Sequence, residues 1–189
     1  MINFILRTLT FVILIIWRVY WDINTKKAEI KKPKTDKNKR IIEIILFNVS
    51  GIYILVNLFS FVLFPFHNLL IQIIGFVFVI FGFIEAMVDR ITLNDNWTRS
   101  FEFQIKESHE LISTGIYGYV RHPIYGGLIL MVPGVLLVSG SYTFIAGLVI
   151  MLIAAEIFAR REEVLLTKHF DKKYTEYMKT TKKFIPFIY

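Results

Sequence analysis

The protein has 189 residues, of which 55% are hydrophobic and 20% charged, and its formal net charge is +7. Soluble domains average about 45–50% apolar and about 25% charged residues, so this composition argues against a soluble domain and excludes a disordered tail. The chain contains no cysteine, which excludes a disulfide scaffold, a thiolate metal site and a cysteine nucleophile.

Five apolar runs follow one another along the sequence. An α-helix rises about 1.5 Å per residue, so about 20 apolar residues cross the hydrocarbon core of a membrane. The last two runs are shorter and are joined by Ser139-Gly140-Ser141, which indicates a helical hairpin. The sequence therefore predicts one all-α, polytopic membrane domain over residues 1–189, with three spans in 1–88 and the hairpin in 89–189. The five runs are Ile2 to Tyr20, Ile41 to Phe64, Leu69 to Val88, Ile124 to Val138 and Tyr142 to Phe158.

The basic residues predict the orientation of these spans. Lys and Arg are concentrated in residues 24–40, 89–121 and 160–189, whereas neither tight turn, 65–68 or 139–141, carries one. By the positive-inside rule the N-terminus lies outside, and the three basic segments, with the C-terminus, lie in the cytoplasm. A basic loop beside a span is typical of contact with anionic lipid, so we expect membrane lipid as a partner and no nucleic acid.

Glycines recur seven residues apart in the predicted spans. Two helical turns bring the members of each pair to one face, where the missing side chain allows a neighbouring helix to approach closely. The pattern predicts helix packing at these positions. The pairs are Gly75 and Gly82, Gly127 and Gly134, and Gly140 and Gly147.

The segment before the fourth run is rich in His, Tyr, Arg and Gly. Pro123 suits the first turn of a helix, because its missing N–H costs nothing there, and this places His122 at the cap. A helix N-terminus beside Arg121 could receive an anionic group, although both residues could equally anchor a helix at the interface. His109 and His122 are 13 residues apart with no cysteine nearby, so we expect no metal site.

The C-terminal segment carries one apolar stripe, which predicts that the fifth helix continues beyond the membrane. Glu162 lies on this same face, and we expect Glu163 to point to the side. A carboxylate on an apolar face is costly unless it is paired or recruited by a ligand, so Glu162 is a candidate site residue. An ion pair of Glu162 with Arg121, Arg160 or Arg161 is the alternative. Glu156 and Glu85 are expected to pair with Arg160 and Arg90. The stripe consists of Phe158, Leu166, Phe170, Tyr174 and Tyr177.

These residues resemble the isoprenylcysteine carboxyl methyltransferases, integral-membrane enzymes that use S-adenosylmethionine, and their phospholipid methyltransferase relatives. The resemblance covers about the C-terminal half of the chain. It begins with Trp97 and His109-x-Leu111-Ile112-x-x-Gly115-x-Tyr117-x-x-Val120-Arg121-His122-Pro123-x-Tyr125-x-Gly127. It continues with Glu162-Glu163-x-x-Leu166-x-x-x-Phe170-x-x-x-Tyr174-x-x-Tyr177 and Ile185-Pro186.

The resemblance implies an S-adenosylmethionine pocket on the cytoplasmic side and a prenylated or other lipophilic substrate that enters from the bilayer. Arg121, His122, Tyr125 and Glu162 are the implied catalytic residues. The implied cofactor contacts are His109, Glu110, Leu111, Ile112, Tyr117, His122, Pro123, Ile124, Tyr125 and Glu162.

One position departs from the resembling family. Phe158 stands one helical turn before Glu162, where the family has an arginine that orients the substrate carboxylate. The acceptor is therefore open among a prenylcysteine carboxylate, a thiol, a phenol and a lipid amine. Two other functions are alternatives: an NADPH-dependent reductase of membrane sterols or lipids, and a non-catalytic membrane protein that keeps the fold.

Overall fold

The computed structural model describes residues 1–29, 37–59, 62–94 and 110–189. The described part of the chain is helical, with a short 3₁₀ helix at Gly115–Gly118, so the all-α prediction is confirmed there. Each of the five predicted apolar runs coincides with one of the first five α-helices. The helices are α1 Ile2–Glu29, α2 Lys37–Phe59, α3 Leu69–Leu93, α4 Pro123–Ser139, α5 Phe144–Phe170 and α6 Lys172–Thr180.

Within the described residues, two helical segments are long and apolar enough to cross a membrane, namely Ile2–Asn24 in α1 and Leu69–Leu93 in α3. Two further apolar segments, Asn48–Phe59 and Pro123–Ser139, are shorter. Large apolar side chains point outward along the bundle, as Leu70 and Ile150 do with 67% and 63% exposure. A surface of this kind matches hydrocarbon as its solvent.

Helices α3 and α4 pack closely through their glycines. A Cβ atom on Gly75 would lie 2.5 Å from the Leu137 Cβ, and one on Gly127 would lie 2.7 Å from the Gly82 carbonyl oxygen. Only hydrogen atoms therefore fit between the two backbones at these positions. The predicted packing role of the first two glycine pairs is confirmed, and this contact holds α3 and α4 side by side.

The third glycine pair does not share a helix face. Gly140 ends α4 with a φ of 75°, a left-handed conformation that glycine adopts without strain, whereas Gly147 lies in α5. The predicted packing role is wrong for Gly140 and Gly147 as a pair, because the chain reverses direction between them.

The sequence predicted that the fifth helix continues through the tail, but the structure has two helices there. Helix α5 ends at Phe170, and Asp171 has a φ of 48° before α6 begins at Lys172. The left-handed residue turns α6 back towards the bundle, where Tyr174 and Tyr177 are buried. The apolar stripe predicted from sequence is thus used by two helices at different angles.

Candidate active site

The end of the chain pairs with the segment that precedes α4. Backbone N–H groups of Arg121 and His122 donate to the carbonyls of Lys182 and Lys183, at 2.8 and 3.0 Å. The Lys182 N–H donates in return to the Tyr119 carbonyl at 3.0 Å. This short ladder holds the start of α4 against the tail that follows α6.

His122, Tyr125 and Glu162 come together beneath this ladder. His122 is the N-cap of α4 and Pro123 occupies its first turn, as predicted. The Tyr125 hydroxyl donates to Glu162 Oε1 at 2.7 Å, and the His122 Nδ1 lies 3.4 Å from Glu162 Oε2. His122 is buried, whereas the Glu162 side chain is 29% exposed. A ligand can therefore reach a carboxylate whose orientation two buried side chains control.

Glu163 belongs to the same cluster, although the sequence predicted that it points to the side. Its Oε1 accepts a hydrogen bond from Arg121 Nε at 2.9 Å and lies 3.4 Å from His122 Nε2. Arg121 also donates to the carbonyls of Met178 and Thr181. Arg121, which the sequence analysis gave as a possible ion-pair partner of Glu162, pairs with Glu163 instead. Glu163 faces inward because the folded-back tail covers this side of α5, which a single-helix periodicity does not reveal.

The cluster shifts the pKa values of its members in opposite directions. Burial lowers the pKa of His122, but hydrogen bonds and charges from Glu162 and Glu163 outweigh burial and raise it above its usual value. Burial raises the pKa of Glu163, but hydrogen bonds from His122 and Arg121 outweigh burial and lower it to about 2. The site therefore favours a protonated imidazole beside two carboxylates.

We expect this cluster to be most stabilising between pH 4.5 and 6.5, the ordinary pKa values of its two groups. The depressed pKa of Glu163 contributes stability above pH 4.5, and this contribution is lost as the pH falls towards 2. The raised pKa of His122 contributes fully below pH 6.5, and this contribution is lost as the pH rises through the folded pKa.

The pH dependence can be measured as the thermal unfolding midpoint of the full chain in detergent. The acid loss from Glu163 is expected to be about 1–2 kcal/mol after solvent screening. Glu163→Gln should flatten the acid limb of the profile. Parallel profiles for the wild type and this variant would contradict the assignment.

Asp89 is a site residue that the sequence analysis missed. It is fully buried near the C-terminal end of α3, and its Oδ1 accepts a hydrogen bond from the Tyr117 hydroxyl. Its Oδ2 has no hydrogen-bond partner in the described part of the chain. The backbone N–H of Ile124 faces this carboxylate. The start of α4, which the sequence predicted as a receptor for an anion, is thus faced by a carboxyl group of the protein itself.

Tyr117 anchors the connector, the segment between α3 and α4 of which residues 110–122 are described, rather than presenting a free phenol. Burial and the nearby Asp89 raise the pKa of Tyr117 well above its usual value. The Tyr117 hydroxyl therefore keeps its proton and does not serve as a base. The Tyr177 hydroxyl donates to the Tyr117 carbonyl at 2.7 Å and so ties α6 to the 3₁₀ helix.

A signal for Asp89 was available in the sequence, since a carboxylate at the end of an apolar run is costly without a partner.

The other predicted contacts lie in and around the connector. Leu111 and Ile112 are partly buried, Glu110 is exposed, and all three precede the 3₁₀ helix. His109 and Trp97 lie outside the described residues. Their role as cofactor contacts stays a prediction.

Phe158 occupies the position where the resemblance predicts an arginine. Its ring stacks on that of Tyr125, with centroids 6.4 Å apart and planes 23° apart. It packs against a buried group that also contains Ala155, Ala159 and Phe184. An apolar surface therefore stands beside Glu162 at this position.

A cavity of about 440 Å³ lies next to the cluster, between α3, α4, α5 and the tail. Such a volume is within the range of about 300–1,000 Å³ that small-molecule sites occupy. Glu156, on its wall, binds Arg160 at 2.5 Å, as predicted, and also Lys183 at 3.0 Å. The predicted Glu85–Arg90 pair does not form among the described residues. Arg90 donates to the carbonyls of Asn94 and Asn24, whereas Glu85 lines the cavity.

Comparison with known proteins identifies the family. The family model described as phospholipid methyltransferase matches residues 70–173, more than half of the chain. The chain belongs to the phospholipid methyltransferase family. The match includes α3, the connector, α4 and α5, and so contains Asp89, His122, Tyr125, Glu162 and Glu163.

Individual proteins with names in this broad group are also similar to part of the chain. A probable protein-S-isoprenylcysteine O-methyltransferase of Oryza sativa subsp. indica is 28% identical over 123 residues, which cover 62% of each chain. The protein-S-isoprenylcysteine O-methyltransferase of Schizosaccharomyces pombe is 34% identical over 85 residues, 43% of this chain and 35% of that protein. The chain thus spans about three-fifths of the length of the rice relative and about a third of the length of the Schizosaccharomyces pombe relative. The resemblance seen in the sequence is confirmed.

The fold is also shared with a solved structure, that of a eukaryotic intramembrane Ras methyltransferase, isoprenylcysteine carboxyl methyltransferase. The TM-score is 0.58 at 18% identity, and the match covers 82% of this chain and 55% of that one. This phospholipid methyltransferase family member therefore has the fold of an intramembrane protein. The relatives described here are all named methyltransferases, which gives no support to the reductase alternative.

Proposed function

We propose that the protein transfers a methyl group from S-adenosylmethionine to a lipophilic acceptor that enters from the bilayer. The observation that carries this proposal is the cluster of His122, Tyr125 and Glu162 inside the segment that the family model matches. The relatives named above act on isoprenylcysteine, so a prenylated protein is one candidate acceptor. Thiols, phenols and lipid amines are the others.

The proposed setting is the cytoplasmic face of a membrane. Five spans, formed by α1 to α5, would place the N-terminus outside and the tail inside. The absence of Lys and Arg from turns 65–68 and 139–141 supports this orientation. The catalytic cluster then lies in the cytoplasmic leaflet, where both a soluble methyl donor and a membrane-borne acceptor have access.

The residues of the site fit S-adenosylmethionine. Glu162 offers a partly exposed carboxylate, and Asp89 Oδ2 is a buried acceptor without a partner in the described chain. Both suit the hydroxyl, ammonium and sulfonium groups of this donor. His122 and Tyr125 would complete the contacts with Glu162, together with the predicted residues Glu110, Leu111, Ile112, Tyr117, Pro123 and Ile124. Bound S-adenosylmethionine supplies a methyl group on a sulfonium, which is already an activated leaving group.

The side chains of this site provide orientation and a dry environment rather than acid–base chemistry. Tyr125 and His122 hold the two Glu162 oxygens in place. Because its pKa is raised, His122 keeps its proton to a higher pH than a free imidazole does. We therefore assign His122 as a hydrogen-bond donor to Glu162 and not as a base. Arg121 and Glu163 close the tail over the cluster and exclude water. Alignment and exclusion of water accelerate a methyl transfer between a cation and a nucleophile.

The test begins with ligand binding to the detergent-purified full chain. We expect saturable binding of S-adenosylmethionine and of its demethylated product, and none of NADPH, in isothermal titration. Membranes incubated with methyl-labelled S-adenosylmethionine should then yield a labelled lipophilic product that mass spectrometry identifies. Saturable NADPH binding without S-adenosylmethionine binding would support the reductase and overturn the proposal. Binding of neither would favour a non-catalytic protein.

A further inference from the structure

Asp89 carries a buried oxygen atom that no described residue binds. Its side chain is 0% exposed near the C-terminal end of α3, where the Tyr117 hydroxyl donates to Oδ1. Oδ2 has no hydrogen-bond partner among the described residues, and Asp89 forms no ion pair with any of them. A buried carboxyl oxygen without a partner costs free energy, so a ligand that donates a hydrogen bond to it is bound favourably.

The basic side chains of this region are bound to other groups. Arg90, the next residue of α3, donates to a backbone carbonyl of α1 and to the carbonyl of the α3 C-cap residue. Arg121 is held by Glu163 and by two carbonyls of the tail. His122 is shared between the two carboxylates of α5. A cation that pairs directly with Asp89 therefore has to come from a ligand.

S-adenosylmethionine carries two cationic groups, and only one of them can satisfy Oδ2 of Asp89. A sulfonium has no hydrogen to donate, whereas the α-ammonium has several N–H donors, as a lysine side chain has. A ribose hydroxyl also donates, but a neutral donor binds a carboxylate about half as strongly as a charged one does. The interior position increases this difference, because charges attract more strongly away from water.

We propose that Asp89 binds the α-ammonium group of S-adenosylmethionine. The inference rests on the proposed function and deepens it by naming the residue that recognises the amino-acid end of the donor. Glu162 and His122 lie close enough to act electrostatically on Asp89, and the Glu162 side chain is 29% exposed. A donor that enters past Glu162 thus brings its ammonium to Oδ2, while the Tyr117 hydroxyl keeps the carboxylate in place through Oδ1.

Product analogues test this inference without turnover. The detergent-purified full chain is titrated in a calorimeter with S-adenosylhomocysteine and with its deaminated analogue, S-adenosyl-4-thiobutyrate, which differs only in the missing amino group. We expect S-adenosylhomocysteine to bind at least about tenfold more tightly, the usual scale of a charge-assisted hydrogen bond. Asp89→Asn should reduce this ratio to about threefold or less, by weakening S-adenosylhomocysteine and leaving the deaminated analogue nearly unchanged. The decarboxylated analogue, S-adenosyl-3-thiopropylamine, keeps the ammonium and should lose affinity in Asp89→Asn as S-adenosylhomocysteine does.

Glu85→Gln is the matched control for this test. Glu85 is an acid one helical turn before Asp89 on α3, so its substitution should leave the wild-type ratio unchanged. Asp89→Asn keeps the shape of the side chain and an oxygen for the Tyr117 hydroxyl, so its unfolding midpoint without ligand should not fall below that of the wild type. A variant that only disturbs the fold would instead weaken all three ligands alike and unfold at a lower temperature.

The outcomes distinguish this inference from the proposed function. Equal binding of S-adenosylhomocysteine and its deaminated analogue by the wild type would overturn the ammonium assignment. So would an unchanged ratio in Asp89→Asn, or an equal loss of all three ligands in that variant. Binding of S-adenosylhomocysteine by the wild type in any of these cases leaves methyl transfer standing, with the amino-acid end recognised elsewhere. No saturable binding of S-adenosylhomocysteine by the wild type removes the proposed function itself, and this inference with it.

Discussion

Glu162→Gln is expected to lower the affinity of the full chain for S-adenosylmethionine at least about tenfold, because a charge-assisted hydrogen bond contributes about 1.5–3 kcal/mol. The substitution keeps the shape of the side chain but removes the charge that Tyr125 and His122 orient. It also replaces one carboxylate oxygen by an NH₂ group, which cannot accept a hydrogen bond from a hydroxyl group of S-adenosylmethionine. Isothermal titration of S-adenosylmethionine into the purified protein measures the change.

The matched control for this prediction is Glu176→Gln. Glu176 is an exposed carboxylate of α6 whose partner is Lys179 at 2.7 Å, outside the cluster. An exposed pair of this kind contributes little to stability, so the control should bind the methyl donor as the wild type does. His122→Ala, which removes the other contact to Glu162, should also weaken donor binding. Unchanged affinity in both Glu162→Gln and His122→Ala, with unfolding midpoints near that of the wild type, would show that the donor binds elsewhere.

Gly82→Ala is expected to destabilise the protein by about 1–3 kcal/mol, the usual cost of forcing extra volume into a packed contact. The added methyl group would collide with the Gly127 carbonyl oxygen and would lie 2.9 Å from the Met131 N–H nitrogen. These are backbone atoms of α4, so no rotation of a side chain can relieve the contact. The thermal unfolding midpoint in detergent should fall by several degrees.

Gly51→Ala provides the matched control, since nothing lies within 4 Å of a Cβ atom at Gly51. Alanine favours a helix over glycine by about 1 kcal/mol, so this control should be as stable as the wild type or slightly more so. Gly82→Ala should also weaken S-adenosylmethionine binding. The reason is that α3 carries Asp89 and α4 carries His122, and a shift between these helices separates the two sides of the site. An unfolding midpoint of Gly82→Ala equal to that of Gly51→Ala would show that α3 and α4 are not in backbone contact.

The tail connects the fold to the site. Helix α6 binds the connector through Tyr177, and the segment after it pairs with residues 119–122. Arg121 reaches back from the connector to Glu163 and to the carbonyl of Thr181. These hydrogen bonds join the connector, α5 and the tail over His122. They hold Glu163 beside the buried imidazole, and Glu162 and Glu163 raise its pKa. Unlike the local pattern of the apolar runs, these contacts join residues about 40 to 60 positions apart.

The amino-acid sequence by itself determined the helices, the cap of α4 and the glycine faces of α3 and α4. Each depends on a local pattern: the length of an apolar run, a proline in the first turn, or two glycines two turns apart. His122, Tyr125 and Glu162 were also identified from sequence, with the resemblance to a known family adding to the helical position of Glu162.

Only the tertiary structure decided the remaining features. The break at Asp171, the inward face of Glu163 and the buried Asp89 all depend on which elements meet. Helical periodicity describes one helix and its faces, but it does not say that a tail will fold back over the second glutamate or that a carboxylate of α3 will face the start of α4. The tertiary structure also decides how the excess of positive charge is paired. At the cavity its cations are bound to Glu156, so net charge alone does not reveal which charges are already paired there.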